Sequence, residues 1–306
     1  MLGAVITGSG STLMHLAGSA PATAGFFRSV LALPALGLLA LVESRRRERS
    51  PGRPALGAAL LAGAFLAGDL LLWQKSVLTL GAGLSTVVQN TQVLYVAGAG
   101  WLLFGERVRA RVIAVLPLLV AGVAVIAFGG PAGAASGPDP IGGTALALLS
   151  ALAYAGFIVV LRGRLSDRST RARSLLAVTV STAAASAGAG ALAGGLNLDP
   201  GWAALGWLGL LALTSQVLGW TVLMSAIARI GSLRASIVLL LQPVSALAWG
   251  AAVLGERPDG WQIGGILLVL ASVAVMAGGA DQAGGATQTG RPPMMLARSM
   301  TRTEGQ

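Results

Sequence analysis

Long apolar stretches, separated by short segments rich in Gly, Pro and Arg, occupy most of the chain. A helix needs about 20 mostly apolar residues to cross the hydrocarbon core of a bilayer. The pattern therefore predicts an all-α integral membrane protein with ten transmembrane helices. The predicted helices comprise residues 1–18, 22–43, 55–78, 84–104, 110–129, 140–161, 174–195, 202–228, 233–254 and 259–279.

One hydrophobic unit occurs twice in the chain. Residues 81–130 align without a gap with residues 231–280, at an offset of 150 residues, and share 15 identities in 50 positions. Each unit contains five predicted helices, an odd number, so the second copy is expected to lie upside down relative to the first. Inverted repeats are a building plan of secondary transporters. We expect inverted five-helix repeats at 1–130 and 140–279, followed by a disordered cytoplasmic tail at 280–306.

Loop charge predicts the orientation in the membrane. Arg and Lys near the ends of spans favour the cytoplasm, and arginines are concentrated after the second, fourth and sixth predicted helices and in the C-terminal tail. Both termini are therefore predicted to be cytoplasmic, in a multi-pass protein of the cell (inner or plasma) membrane. No basic segment precedes residues 1–18, so this stretch is predicted as a mature helix and not as a cleaved signal.

Composition excludes several functional classes. The net charge of +10 does not indicate nucleic-acid binding, because the basic residues lie in short runs between apolar segments and form no basic face. With no cysteine and one histidine, the chain is not expected to hold a cofactor or a metal. The sequence contains neither a P-loop nor the motifs of membrane-embedded hydrolases. Direct ATP drive and enzymatic activity are therefore not predicted.

Three features together resemble the EamA-type family of the drug/metabolite transporter superfamily: two five-helix halves, an Arg early in the second helix (AGFFRSVLALP), and fourth helices ending in LFGERV and VLGERP. The resemblance covers about residues 1–280. It implies a transporter of small metabolites, most often an exporter, with a central cavity lined by helices 1, 3, 4, 6, 8 and 9. Many members carry a proline midway along both fourth helices. This chain has Pro243 in the second half but Val93 in the first, so a kink is expected in the ninth helix and not in the fourth.

Asp69 is the acidic residue that lies well inside a predicted helix, in LAGDLLLWQKS, and Trp73 follows one turn later. A charge at membrane depth is costly and is by default a candidate functional group. Asp69 is expected to couple transport to protons or to bind a substrate ammonium group. The alternatives are a structural pair with Lys75 or Arg28, or a hydrated position near the outer interface.

Four polar residues follow each other in the fourth predicted helix: Gln89, Asn90, Thr91 and Gln92. They cannot all face hydrocarbon, because their amides would lack hydrogen-bond partners there. Gln92 is matched by Gln242 at the offset of 150, and two amides near the centre offer donors and acceptors to a zwitterion or a hydroxylated solute. Cavity lining is the favoured interpretation, and hydrogen bonding between helices is the alternative.

Further candidates are a histidine, an arginine and several polar or aromatic residues. His15 suits proton coupling near neutral pH, with a hydrogen bond to a neighbouring helix as the alternative. Arg28 is interpreted as an interfacial anchor, with attraction of anions as the alternative. The remaining candidates for the cavity wall are Tyr95, Tyr154, Ser215, Gln216, Trp220 and Trp249.

The two Gly-Glu-Arg sequences lie at the ends of the fourth and ninth predicted helices, on opposite membrane faces. The glycine is expected to end each helix, while Glu106–Arg107 and Glu256–Arg257 tether neighbouring helices. The alternative is gating, with each pair closing one side of the protein in one state.

The sequence therefore predicts a secondary-active exporter of a small metabolite, such as an amino acid or a derivative, that works by alternating access. Its predicted partners are the small-molecule substrate, the lipid bilayer and protons. Two alternatives are a lipid flippase or scramblase, and a membrane assembly partner that transports nothing. The sequence does not distinguish a monomer from a homodimer.

Overall fold

Helices provide all the regular secondary structure in the part of the chain that the structure describes. The structure is a computed structural model that describes residues 2–45, 56–105, 110–128, 138–164, 171–193, 195–219 and 232–278. The helices are α1 (Leu2–Gly8), α2 (Gly10–Ala17), α3 (Pro21–Arg45), α4 (Leu56–Leu80), α5 (Ala82–Gln89), α6 (Gln92–Phe104), α7 (Ala110–Phe128), α8 (Pro140–Arg164), α9 (Arg171–Ala193), α10 (Trp202–Leu211), α11 (Ser232–Leu254) and α12 (Gly260–Gly278). A π-helical segment, Ala212–Gly219, directly continues α10.

The predicted all-α architecture is confirmed, and helices lie at each of the ten predicted positions. By length and composition, α3, α4, α8 and α9 are long and apolar enough to cross a membrane. The last part of the eighth predicted helix and the predicted tail at 280–306 lie outside the described residues. Several apolar helices of this kind are typical of a multi-pass membrane protein.

A break occurs in the fourth predicted helix, where no kink was expected, and the kink expected at Pro243 stays a prediction. α11 is continuous through Pro243, whereas the fourth predicted helix is interrupted after Gln89. The Asn90 side chain explains the interruption, because its Nδ2 donates to the Thr86 carbonyl at 2.7 Å. That carbonyl would accept the Asn90 backbone amide in a regular α-helix, and this amide instead donates to the Val87 carbonyl. A side chain that competes for backbone acceptors in this way breaks the helix locally.

Helices at equivalent positions of the two halves contact each other: α3 with α9, α5 with α11, and α7 with α12. The contact between α7 and α12 is antiparallel, since Gly122 lies against Val269 while Ile126 lies against Gly265. The two backbones approach closely, and a Cβ added to Gly265 would lie 2.8 Å from the Gly122 carbonyl oxygen. Small residues at such an interface permit close packing in lipid.

Apolar side chains cover much of the outside, while polar side chains lie between the helices. Leu102 of α6 and Leu192 of α9 are 74% and 93% exposed, whereas Gln74 of α4 is buried. The largest apolar cluster lies where α5, α7, α8 and α12 meet, and it includes Val87 and Val269. Polarity is thus concentrated in the interior, as a protein surrounded by lipid requires.

Candidate functional site

Asp69 lies near the middle of α4 and is 3% exposed. Two neutral side chains donate hydrogen bonds to its Oδ1 atom: Ser150 Oγ at 2.6 Å and Gln89 Nε2 at 2.8 Å. Gln89 Nε2 also donates to Ser150 Oγ at 3.0 Å. The three side chains, which we call the Asp69 cluster, therefore join α4, α5 and α8 at one point.

The two oxygens of the Asp69 carboxylate differ in their hydrogen bonds. Both hydrogen bonds reach Oδ1, and no described residue donates to Oδ2. A buried carboxylate is stable only when charged or polar partners compensate its desolvation. Oδ2 is thus the position at which a proton or a cationic group would add the missing partner. The alternative, a pair with Lys75, is not found among the described residues, and the Lys75 side chain is exposed.

Arg28, interpreted from the sequence as an interfacial anchor, has a side-chain partner within the protein. It is half-buried on α3, and its Nε donates to Gln216 Oε1 of the π-helical segment at 2.7 Å. The guanidinium is also close enough to interact electrostatically with Asp69 and Tyr154. The described residues contain no direct ion pair between Arg28 and Asp69. A cation and an anion therefore lie in the same interior region without neutralising each other by contact.

Polar atoms without hydrogen-bond partners lie on α2, α4 and α6. Trp73, one turn beyond Asp69, is buried against Leu13 and Met14, and its indole Nε1 donates to no described atom. Gln92 Oε1 and Thr12 Oγ1 are likewise buried without a partner. An unsatisfied buried polar group costs about 1–3 kcal/mol. Each of these atoms therefore has the capacity for a further hydrogen bond.

Gln92 and Gln242 were predicted to form a related pair of amides. Gln242 is half-buried on α11, where its backbone carbonyl accepts from Ser245 and lies close to Gly8 of α1. No hydrogen bond between the two amide side chains occurs within the described residues. Next to Gln242, Pro243 is buried. The pair stays a prediction about the cavity wall.

Other candidates lie apart from the Asp69 cluster. His15 is exposed on the last turn of α2, and Trp249 of α11 is 40% exposed. Ser215 is buried and donates to the Ile6 carbonyl at 3.4 Å. Trp220 lies outside the described residues. The structure thus gives His15 and Trp249 surface positions and ties Ser215 to α1.

The Gly-Glu-Arg glycines end their helices as expected. Gly105 and Gly255 are equivalent at the offset of 150, and their φ angles are 65° and 69°. This left-handed conformation is the usual end of a helix and favours glycine strongly. Glu106 and Arg107 lie outside the described residues, and Arg257 is exposed.

Glu256 holds the start of α5. Its carboxylate accepts the backbone amide of Ala82 at Oε1 and that of Gly83 at Oε2, the latter at 3.0 Å. The first amides of a helix have no intrahelical partner and carry a partial positive charge, so a carboxylate stabilises them. Glu256 therefore joins the end of α11 to the fourth predicted helix of the other half.

Tyr95 lies in a groove between α6, α7 and α8, with a volume of about 390 Å³. Its lining is apolar apart from Tyr95, Thr91 and Thr144. We call this the α6–α8 groove. Tyr95 therefore faces a different space from the Asp69 cluster.

Sequence reasoning missed Ser150 and Gln74. A serine in an Ala/Leu-rich helix commonly bonds its own preceding turn, so Ser150 gave no signal of its own. Gln74 is buried and donates to the Ser19 carbonyl at 3.0 Å. Its place directly beside Trp73, one turn beyond Asp69, was the available clue.

Comparison with known proteins gives three findings. The model of the EamA-like transporter family matches residues 1–128 and 141–278, once in each half. The chain is also similar to a solved crystal structure, described only as that of a protein, with 18% identity over 94% of this chain and 96% of that chain and a TM-score of 0.55. At this identity the similarity shows the fold alone. Among curated proteins nothing matches.

Proposed function

Because the chain belongs to the EamA-like transporter family, as its two five-helix halves, the early Arg28 and the two Gly-Glu-Arg helix ends together predicted, we propose that it is a secondary-active exporter of a small amphipathic metabolite, such as an amino acid or a derivative. Members of this family are transporters, and the chain is a multi-pass membrane protein. The proposed location is the cell membrane, with both termini in the cytoplasm, which the arginine-rich loops support.

Two inverted five-helix repeats form the proposed framework. Antiparallel contacts between equivalent helices support it, because repeats related by an axis along the membrane normal would place these helices parallel. Glu43, near the end of α3, accepts the amide of Ala172, at the start of α9, at 2.9 Å. At the opposite ends of the same helices, Gly25 lies against Ser186. The two halves are proposed to rock about the interior polar region and so alternate access.

Asp69 carries the functional proposal. Its Oδ1 is held by Gln89 and Ser150, while Oδ2 is available for a proton or for the ammonium group of a substrate. A ligand shifts a conformational equilibrium only when it binds the two states with different affinity. A proton or an ammonium group at Oδ2 would bind the two states with different affinity if rocking moves α5 or α8 away from α4. We therefore propose that proton exchange at Asp69 drives export.

Efflux from proteoliposomes tests the proposal. Vesicles with purified protein are loaded with an equimolar mixture of the proteinogenic amino acids, and the released solutes are identified by mass spectrometry with and without a pH gradient. We expect release of a subset of the amino acids that depends on the gradient in the wild type and is lost in Asp69→Asn.

Asp139→Asn is the matched control. Asp139 is exposed, and its Oδ1 accepts the Gly142 amide at 2.9 Å at the start of α8, a capping role that asparagine fulfils equally well. Its efflux should equal that of the wild type. Proton coupling through Asp69 is wrong if Asp69→Asn exports as fast as Asp139→Asn and neither responds to the gradient.

A flippase or scramblase and a non-transporting assembly partner are the alternatives. The same vesicles, prepared with fluorescent phospholipid in one leaflet, distinguish them. Redistribution of the lipid without amino-acid efflux favours a flippase. If neither solute nor lipid moves, the assembly partner is favoured.

A further inference from the structure

The rim of the α6–α8 groove is apolar, as expected of a groove that opens toward the bilayer. At its edges, Val120 and Phe128 of α7 and Ile141 of α8 are 58%, 69% and 54% exposed. No charged residue lines it, and α8 is among the helices that are long and apolar enough to cross a membrane. An ion or a strongly hydrated solute would therefore lose its hydration without compensation in this groove.

Two hydroxyl groups in the groove lack partners. Thr91 and Thr144 are 2% and 3% exposed, and the Oγ1 atoms of both have no hydrogen-bond partner. Several threonines of the described helices donate to the carbonyl four residues earlier, as Thr86 and Thr182 do at 2.9 and 2.8 Å. The groove thus combines an apolar wall with two donors that are not used within the protein.

Along α8 the groove covers about two thirds of the hydrocarbon depth of one leaflet. Its α8 side extends from Ile141 to Leu148, which corresponds to about 10 Å along a helix axis. Half of a hydrocarbon core of about 30 Å is about 15 Å. Thr144 lies one turn from the start of α8, at the end of the groove where the ester group of a lipid would enter, whereas Thr91 lies at the opposite end.

We propose that the α6–α8 groove binds one acyl chain of a membrane phospholipid, with Thr144 Oγ1 donating a hydrogen bond to the ester carbonyl of that chain. A volume of about 390 Å³ falls within the range of about 300–1,000 Å³ that is typical of ligand pockets. The inner end of the chain lies against Thr91, directly beside the break between α5 and α6. A bound lipid therefore stabilises the position of the break that follows Gln89.

Lipid titration followed by native mass spectrometry tests this site. Purified protein in detergent is titrated with palmitoyl-oleoyl phosphatidylglycerol, and the apparent affinity of the first bound lipid is measured. Ala124→Phe fills the groove and should weaken this affinity at least about tenfold, since the apolar contacts are lost. Ala121→Phe is the control, because Ala121 lies on the same helix, is exposed and does not line the groove.

Two isosteric variants locate the polar contact and do not depend on a bulky substitution. Thr144→Val should weaken the first lipid about fivefold, the effect of one hydrogen bond. Thr91→Val should change it less than about twofold, because an acyl chain offers no acceptor at the inner end. Equal lipid affinity in Ala124→Phe, Thr144→Val and the wild type would overturn the proposal. It would also be overturned if both threonine variants weakened amino-acid binding and not lipid binding, since the groove would then bind a polar solute.

Discussion

Glu256→Ala is expected to lower the free energy of unfolding by about 2 kcal/mol. The carboxylate accepts two backbone amides at the start of α5, those of Ala82 and Gly83. Removing a helix cap costs about 0.5–2 kcal/mol, and a hydrogen bond to a charged group contributes about 1.5–3 kcal/mol. Both amides lose their acceptor in the variant, while the half-buried position leaves water access to replace part of the loss.

Thermal unfolding of the purified protein in detergent measures this effect. At about 2–4 °C per kcal/mol, Glu256→Ala should melt about 4–8 °C below the wild type. Glu256→Gln retains one carbonyl oxygen as an acceptor, so its melting temperature should fall by about half as much. Arg257→Ala is the control, because Arg257 is the exposed neighbour. If Glu256→Ala and Arg257→Ala have the same melting temperature, the carboxylate does not stabilise α5 and the interpretation is refuted.

Two further variants probe packing and the Asp69 cluster by the same melting assay. Gly265→Ala places a Cβ 2.8 Å from the Gly122 carbonyl oxygen and should destabilise by about 1–3 kcal/mol; Gly264→Ala meets nothing within 4 Å and should be neutral or slightly stabilising. Ser150→Ala removes a donor to a buried carboxylate and should destabilise by about 1–3 kcal/mol. Its destabilisation should exceed that of Ser181→Ala, which removes a neutral hydrogen bond to a carbonyl worth about 1 kcal/mol. Equal melting within either pair would contradict the corresponding contact.

Hydrophobic length predicted where the helices lie, since each stretch had to be apolar over many residues. The interruptions within them were not predictable in this way. The break after Gln89 depends on the carbonyl to which the Asn90 side chain donates its hydrogen bond, and hydropathy carries no information about that choice. Pro243 lies within the continuous helix α11, and the kink expected there stays a prediction. Local side-chain competition, and not composition, interrupted the fourth predicted helix.

Residues of the candidate site were predictable when their type is unusual inside a membrane. Asp69 and Gln89 were singled out because a carboxylate and an amide need partners in hydrocarbon. The sequence did not identify Ser150 as the second donor, since which face of α8 meets α4 follows from packing. The partner of Arg28 also follows from packing, since the π-helical segment brings Gln216 within reach.

Helix α5 is tied to a carboxylate at each end. Its first amides bind Glu256, and its last residue, Gln89, binds Asp69. The helix has eight residues, or about 12 Å, which is too short to bend appreciably. It is therefore expected to move as a rigid body. A displacement of the segment after α11 would move α5 as a whole, and with it the Gln89 side chain that binds the Asp69 carboxylate. The position of Glu256 at the rim of the protein is in this way coupled to the position of the buried carboxylate.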